Sequence, residues 1–166
     1  MSRLAKLKMK VKATRNHQAN PLNPTLSAEI GQADIAMEPN RNGFGRGLKA
    51  VGEANEKVVA LCADLTGSTK IDAFAAAFPE RYFQTGIAEQ NLITVAAQGF
   101  IPYCSSYAAF SPGRSWEQIK TTVALNDRPV KIIGSHAGLM TGPDGATHQM
   151  LEDIALMRAM PNMVVI

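Results

Sequence analysis

Short runs of apolar residues alternate along the chain with longer stretches in which apolar positions recur at the spacing of a helix. The clearest run is Val-Val-Ala-Leu-Cys-Ala at residues 58–63, which is apolar throughout rather than at every second position. That pattern is typical of a strand covered on both faces of a parallel sheet. Shorter runs predict further strands at residues 82–84, 101–106, 130–134 and 163–166.

Helical periodicity fills the stretches between these strands. It predicts helices over residues 42–55, 71–78, 88–98, 116–125 and 150–160. Asn42 is the expected N-cap of the first helix, which should bury Phe44, Leu48 and Val51. Because strands and helices alternate, the pattern predicts a single α/β domain with a mostly parallel sheet flanked by helices.

Polar turns follow four of the predicted strands, at residues 64–69, 86–91, 105–114 and 135–148. In parallel sheets, ligands bind outside the carboxyl ends of the strands, so we expect these turns to meet at one edge. The turn at 86–91, Gly-Ile-Ala-Glu-Gln-Asn, places Glu89 in the first turn of a helix. The helix dipole alone would favour a carboxylate there by a few tenths to about 1 kcal/mol.

Each turn has a structural interpretation beside a functional one. His136, Asp144 and His148 fit acid–base chemistry or an ordinary surface loop. A metal site is disfavoured, because no His-x-x-x-His spacing and no nearby cysteine occur. Tyr107 and Phe110 fit core packing or the lining of a flat ring. The 64–69 turn could likewise be a helix cap or an anion-binding turn, although it is not a P-loop.

Composition narrows the class of protein. With 166 residues, 46% hydrophobic and 19% charged, the chain fits one ordinary globular domain. No apolar run approaches the roughly 18 residues of a membrane span, and the N-terminus lacks the apolar core of a secretory signal. Cys62 and Cys104 lie in apolar runs and are expected to pack as small hydrophobic side chains, so the cytoplasm is the default location.

The net charge of +3 is unevenly distributed. Residues 1–16 carry six basic side chains and no acidic one, whereas the remainder holds 11 basic against 14 acidic side chains, a net charge of −3. We therefore expect a basic, proline-containing N-terminal extension over residues 1–40 and a domain over residues 41–166. Nucleic-acid binding is disfavoured, because no aromatic residue is interleaved with the basic ones to stack on bases.

Taken in order, residues 63–69, 86–91, 106–118 and 135–153 resemble the pyrimidine-binding domain of transketolase-like, thiamine-diphosphate-dependent enzymes. Within that family, the sequence is most similar to the C-terminal subunit of split transketolases. Deoxyxylulose phosphate synthases and 2-oxoacid dehydrogenase beta chains share the motif at 86–90, but the loop that holds His136, Asp144 and His148 favours transketolase. The resemblance implies a thiamine-diphosphate-binding fold of the pyrimidine type.

The resemblance also implies roles for individual residues. Glu89 would hydrogen-bond the ring nitrogen of the cofactor's aminopyrimidine and so favour the tautomer that removes the thiazolium proton. The implied cofactor-binding residues are Asp64, Leu65, Glu89, Tyr107 and Phe110, with the two aromatic rings bracketing the pyrimidine. The implied substrate-binding residues are Arg41, His136, Asp144 and His148, with Arg41 at the sugar's terminal phosphate. Glu89, His136 and His148 would be the catalytic residues.

The implied reaction is transfer of a two-carbon ketol unit between sugar phosphates. The family's Gly-Asp-Gly diphosphate motif does not occur in the sequence, so a diphosphate-binding N-terminal transketolase subunit is expected to hold the magnesium. We expect this chain to form a dimer or heterotetramer with that subunit and to be inactive alone.

An alternative is a non-catalytic, truncated relative that serves as a binding or assembly module. The sequence stops at the predicted strand 163–166, so we expect the family's C-terminal domain to be absent. The helix that starts near Glu89 is also about four residues, or one turn, shorter than in related sequences. Gly113 stands where the family often has a third aromatic residue.

Overall fold

The computed structural model describes residues 38–166. The N-terminal extension predicted over residues 1–40, with its basic side chains, lies outside the described residues except for its last three positions. The first described helix, α1, spans Asn40–Ala54. The boundary between extension and domain stays a prediction.

A four-stranded parallel sheet forms the centre of the domain. Its strands are β1 (Val58–Cys62), β2 (Tyr82–Gln84), β3 (Ile101–Tyr107) and β4 (Lys131–Ser135), in the order β2-β1-β3-β4. β1 pairs with β3 along its whole length, from Val58 opposite Ile101 to Cys62 opposite Ser105. The predicted α/β class is confirmed, and the first four predicted strands are confirmed with ends within one residue.

Helical segments connect these strands. After α1 they are α2 (Thr66–Thr69), α3 (Asp72–Ala77), α4 (Glu89–Ala96), α5 (Trp116–Gln118) and α6 (Asp153–Arg158). A π-helical turn spans Ile119–Ala124, and 3₁₀ turns span Pro79–Arg81 and Gly142–Asp144. The segment Ala109–Arg114 is helical on either side of a kink at Ser111, whose φ of −144° and ψ of 105° are extended. The helix predicted over 116–125 is therefore only partly α-helical, because α5 passes directly into a π-helical turn.

β1 is buried on both faces, as its continuous apolar run predicts. Val59, Leu61 and Ala63 enter one hydrophobic cluster, and Val58, Ala60 and Cys62 enter another. The first cluster includes residues of α4, and the second includes residues of α1 and α3. Two-sided burial is the physical reason why apolar residues occupy every position of this strand.

α1 differs from its prediction in its start and in its buried face. It begins at Asn40, so Asn42 is not the N-cap, and the Asn42 N–H donates to the Pro39 carbonyl oxygen at 2.9 Å. Val51 is 38% exposed. The buried residues of the helix are Gly45, Leu48 and Gly52.

Two glycines let α1 approach its neighbours closely. A Cβ atom at Gly45 would collide with the backbone carbonyl oxygen of Lys70, and one at Gly52 would lie 2.5 Å from the Phe74 ring. Hydrophobic periodicity assigns the buried face of a helix to large apolar residues. It therefore cannot identify a face that is buried because glycine residues allow close packing.

Two other predicted helices exceed the observed ones by three residues or more, whereas the helix predicted over 71–78 is observed at Asp72–Ala77. The helix predicted over 150–160 begins only at Asp153, because the backbone of Met150 pairs with Gly138 through hydrogen bonds of 2.7 and 3.1 Å. The helix predicted over 88–98 ends at Ala96, and the chain then turns through Gly99, whose φ is +106°, into β3. This tight turn lets the short α4 coexist with full pairing between β1 and β3.

The prediction of a strand at residues 163–166 is wrong. None of the four strands pairs with it, and Val164 and Ile166 are exposed. An apolar run becomes a strand only where a neighbour takes up its backbone hydrogen bonds, and the hydropathy pattern contains no information about that neighbour.

Candidate functional site

The carboxyl ends of the four strands bring the predicted site residues to one edge of the sheet. Asp64 follows β1, Gly86 follows β2, Tyr107 ends β3, and His136 follows β4. Because the strands are all parallel, these ends share an edge, which is where ligands bind in such sheets.

Glu89 is the first residue of α4, and its side chain is buried. Gly86 adopts a φ of +67°, a left-handed value that favours glycine, and it turns the chain from β2 towards the helix. The Ala88 N–H closes this turn by donating to the Gly86 carbonyl oxygen at 2.8 Å. Only 3% of Glu89 is exposed, and a buried carboxylate requires a charged or hydrogen-bonding partner.

Arg114 is that partner. Its Nη1 donates to Oε2 of Glu89 at 3.1 Å, and half of its side chain is exposed. The same guanidinium stacks on Phe110, with Cζ 4.6 Å from the centroid of the ring. One side chain therefore connects the buried carboxylate to the aromatic pair.

Two aromatic rings and two imidazoles form one cluster, which comprises Tyr107, Phe110, His136 and His148. The Tyr107 and His136 ring centroids are 4.0 Å apart, and those of Phe110 and His148 are 5.1 Å apart. Tyr107 and Phe110 are nearly parallel, at 12°, with centroids 6.2 Å apart. A third ring held between them would need a stacking distance of about 3.5 Å on each side, which is more than the 6.2 Å between the centroids provides. In this arrangement the two rings can therefore line one side of a bound ring, but they cannot enclose it.

The electrostatic surroundings of His136 include Arg41 and Asp144. Burial lowers the pKa of His136, the positive charge of Arg41 lowers it further, and the carboxylate of Asp144 partly offsets both effects. His136 itself has a left-handed φ of +54°, and its Nδ1 lies 2.6 Å from the Ser135 hydroxyl. These surroundings favour a neutral imidazole, which can both donate and accept a hydrogen bond.

Asp64 lies in a separate hydrogen-bond network at the end of β1, and Leu65 follows it in the same turn. Asp64 has a φ of +59°, and its N–H donates to the side-chain oxygen of Gln84 at 2.7 Å. The Gln84 amide nitrogen donates to the hydroxyls of Thr66 and Tyr82 at 3.0 and 3.2 Å. The network fixes the turn that carries both predicted cofactor-binding residues of this strand.

Gly113, where the resemblance implies a third aromatic residue, is tightly packed. A Cβ atom there would lie 3.1 Å from the Ala108 carbonyl oxygen and 3.4 Å from Cε of Met150. The Gly113 N–H also donates to Ala108 at 2.9 Å. The thioether of Met150 therefore packs against this position in place of a third ring.

Sequence reasoning assigned no role to Arg114, Gln84 or Met150. Arg114 and Gln84 contact the predicted site residues Glu89 and Asp64 from segments that are distant along the chain. Met150 lies against Gly113 in the same way. The weak signal for Arg114 was its place in the 105–114 turn, four residues after Phe110. Nothing in local composition distinguishes Gln84 or Met150.

Within residues 38–166, no group of three or more His, Cys, Asp or Glu side chains is placed to hold a metal ion. The same range contains no helix with the length and apolar character needed to cross a membrane.

Comparison with known proteins identifies the family. Residues 38–166 match the family model described as transketolase, pyrimidine binding domain. A protein of Methanocaldococcus jannaschii, named as a candidate transketolase C-terminal section, is 52% identical over 130 residues, which cover 76% of this chain and 41% of that protein. The 1-deoxy-D-xylulose-5-phosphate synthase of Natranaerobius thermophilus is 40% identical over 126 residues, which cover 74% of this chain and 20% of the synthase.

A solved structure described as a split gene transketolase, inactive beta4 tetramer, matches with a TM-score of 0.63 and 48% identity. The match covers 74% of this chain and 40% of that one. This chain thus spans less than half the length of each of these three relatives. The family match extends over all the described residues and confirms the resemblance seen in the sequence: the chain belongs to the transketolase pyrimidine-binding domain family.

Proposed function

We propose that this chain is the pyrimidine-binding half of a thiamine-diphosphate-dependent transketolase, which transfers a two-carbon ketol unit between sugar phosphates. The observation that carries the proposal is the buried Glu89 carboxylate, which Arg114 links to the aromatic–histidine cluster. The 52% identity to a protein named as a candidate transketolase C-terminal section supports the same conclusion.

The residues present fit the aminopyrimidine end of the cofactor. That ring is flat and carries nitrogen atoms, so it matches a site with a buried carboxylate beside an aromatic face. Glu89, Tyr107 and Phe110 would hold it, together with the turn of Asp64 and Leu65. We assign the diphosphate and its magnesium to a partner subunit, an assignment that the name of the M. jannaschii relative, a transketolase C-terminal section, supports.

Thiamine diphosphate, when bound, supplies the carbon nucleophile for ketol transfer. Glu89 holds or shares a proton with the ring nitrogen, and its burial strengthens that hydrogen bond by excluding water. His136 and His148 hydrogen-bond the hydroxyls and carbonyl of the sugar and move protons to and from them. Asp144 accepts hydrogen bonds from the sugar hydroxyls, and Arg41 binds the terminal phosphate.

We infer that catalysis requires a second, diphosphate-binding subunit, in a dimer or heterotetramer. A solved relative at 48% identity is described as an inactive beta4 tetramer. The M. jannaschii relative is named as a C-terminal section, which indicates a complementary N-terminal section. Both names support a divided enzyme, with this chain as one of its parts.

Reconstitution tests the proposal. The chain is mixed with a diphosphate-binding transketolase N-terminal subunit, thiamine diphosphate and magnesium, and ketol transfer is followed in a coupled assay. We expect activity from the mixture only, and a loss of at least about a hundredfold for Glu89→Gln. Glu53→Gln is the matched control, because Glu53 is an exposed carboxylate on α1. Undiminished activity of Glu89→Gln, or turnover by the chain alone, would contradict the proposal.

The 40% identity to a deoxyxylulose phosphate synthase favours a second candidate with the same cofactor and a different donor. Replacing the ketose donor by pyruvate in the same assay distinguishes the two activities. A mixture that assembles but uses neither donor would instead support the non-catalytic assembly module.

A further inference from the structure

Arg114 makes two contacts that the cofactor's ring would also make. Its guanidinium donates to Glu89 at 3.1 Å and lies 4.6 Å from the centroid of Phe110. Under the proposed function, on which this inference rests, the aminopyrimidine shares a proton between its ring nitrogen and the same carboxylate, and it lies against the same aromatic pair. The two groups would therefore compete for Glu89 and for Phe110.

The chemical likeness between the two groups is close. A guanidinium is planar, carries N–H donors in its plane, and stacks on aromatic faces. An aminopyrimidine that is protonated at its ring nitrogen has the same three properties. A site built to recognise one of them therefore recognises the other.

We propose that Arg114 is an internal ligand of the aminopyrimidine subsite and must leave Glu89 and Phe110 before the ring can bind. The contact regulates the site, because it keeps the buried carboxylate paired until the cofactor replaces it. An unpaired carboxylate at 3% exposure would be costly, so the guanidinium also protects the folded chain before cofactor binds.

The structure offers Arg114 a second position. A cavity of about 370 Å³ lies beside the Glu89–Arg114 pair, and its polar lining includes Asn91, Thr94 and Gln118. The side-chain oxygen of Gln118 is buried and has no hydrogen-bond partner among the described residues. A guanidinium that moves from Glu89 into this cavity finds an acceptor there, and its half-exposed side chain has the freedom to make the move.

The test measures ring binding directly, without the partner subunit and without turnover. The probe is the free aminopyrimidine of the cofactor as its hydroxymethyl derivative, titrated into the full chain by calorimetry or ligand-observed NMR. We expect Arg114→Met to bind the probe at least about tenfold more tightly than the unmodified chain. Arg114→Lys, which keeps the charge but not the planar fork, should fall between them.

Two further variants make the result specific. Adding Glu89→Gln to Arg114→Met should remove the gain, because the carboxylate is the common partner. Arg158→Met removes an exposed arginine from α6 and should bind like the unmodified chain. If Arg114→Met fails to fold by circular dichroism, Arg114→Gln provides the same test while keeping one N–H donor for Glu89.

Equal or weaker probe binding by the folded Arg114 variant would overturn the inference, because Arg114 would then help the ring to bind. Absence of binding by every variant would overturn it too, since freeing Glu89 would not have exposed a ring site. Both outcomes are distinguishable from failure of the proposed function, which is read from ketol transfer by the complex and its loss in Glu89→Gln.

Discussion

The side-chain oxygen of Gln84 accepts a hydrogen bond from the backbone N–H of Asp64 at 2.7 Å, although Gln84 ends β2 and Asp64 lies in the turn after β1. Asp64 has a left-handed φ of +59°, which few residues other than glycine, asparagine and aspartate adopt readily. The hydrogen bond holds the peptide of Asp64 in this orientation while the Gln84 amide nitrogen bonds to Thr66 and Tyr82. Gln84 is therefore a positioning residue for the turn.

Replacing Gln84 by leucine should loosen the turn that carries Asp64. The variant loses three hydrogen bonds at an exposed site, so we expect the free energy of unfolding to fall by about 1 kcal/mol. Thiamine diphosphate should bind less tightly to the reconstituted complex. Urea unfolding measures the change in stability. The activity of the complex, followed as thiamine diphosphate is added, measures the change in cofactor affinity.

Gln84→Glu and Gln98→Leu are the controls for that experiment. The glutamate keeps an acceptor for Asp64 but loses the two donated hydrogen bonds, so its loss of stability should be smaller. Gln98→Leu removes an exposed glutamine from the chain just after α4 and should change neither quantity. Equal effects from Gln84→Leu and Gln98→Leu would show that Gln84 does not position the turn.

Removing Glu89 and removing Arg114 should lower the stability of the chain by different amounts. Arg114→Met leaves a buried carboxylate without its cation, whereas Glu89→Gln leaves a half-exposed arginine that water can solvate. We expect Arg114→Met to destabilise the chain more than Glu89→Gln. A double-mutant cycle in urea should give a coupling of roughly 1–2 kcal/mol, reduced by the exposure of Arg114.

A coupling near zero would mean that the two charges do not interact in solution. Lys49 and Glu53, an exposed pair at 3.8 Å on α1, provide the comparison cycle. Their coupling should be no more than about 0.5 kcal/mol, as for other exposed pairs on helices.

The strands of the sheet were predictable because their signals are local in the sequence. The apolar run of β1 and the glycine turn at Gly86 are properties of neighbouring residues, so the sequence displays them directly. The grouping of Tyr107, Phe110, His136 and His148 followed from parallel strands whose ends share an edge, combined with the family resemblance.

Contacts between distant segments were not predictable from the pattern. The pairing of Arg114 with Glu89 depends on how the kinked segment Ala109–Arg114 presents its last residue to α4. The start of α6 depends on the bridge between Gly138 and Met150. Neither interaction leaves a periodic or compositional signal, because each needs only one suitable residue at each end.

The glycines of α1 provide a test of the buried face that periodicity missed. Gly45→Ala should destabilise the chain by about 1–3 kcal/mol, because the new methyl group collides with the backbone of Lys70 and not with a flexible side chain. Gly47→Ala is the matched control on the same helix, with nothing within 4 Å of the added Cβ.

For Gly47→Ala we expect a gain of roughly 0.5–1 kcal/mol, since alanine has the higher helix propensity. Thermal unfolding of the two variants side by side measures the difference. Stabilisation by both substitutions would show that α1 does not pack closely against Lys70.

His136 should make stability depend on pH. Its pKa in the folded chain is lowered from the usual 6.5, mainly by burial, so the unfolded chain takes up the proton more readily. Stability should therefore fall as the pH drops below about 6.5 and level off once the pH is below the folded pKa. His136→Asn should reduce this slope in urea unfolding measured at several pH values.

The neighbours of His136 allow the sign of each charge effect to be checked. Removing the nearby positive charge in Arg41→Met should raise the pKa of His136, and removing the carboxylate in Asp144→Asn should lower it. NMR titration of the His136 ring protons measures both shifts. Shifts in the same direction would mean that at least one of these charges lies far from the imidazole in solution. Opposite shifts would support a neutral His136 whose proton affinity is set jointly by the two groups proposed to bind the sugar phosphate.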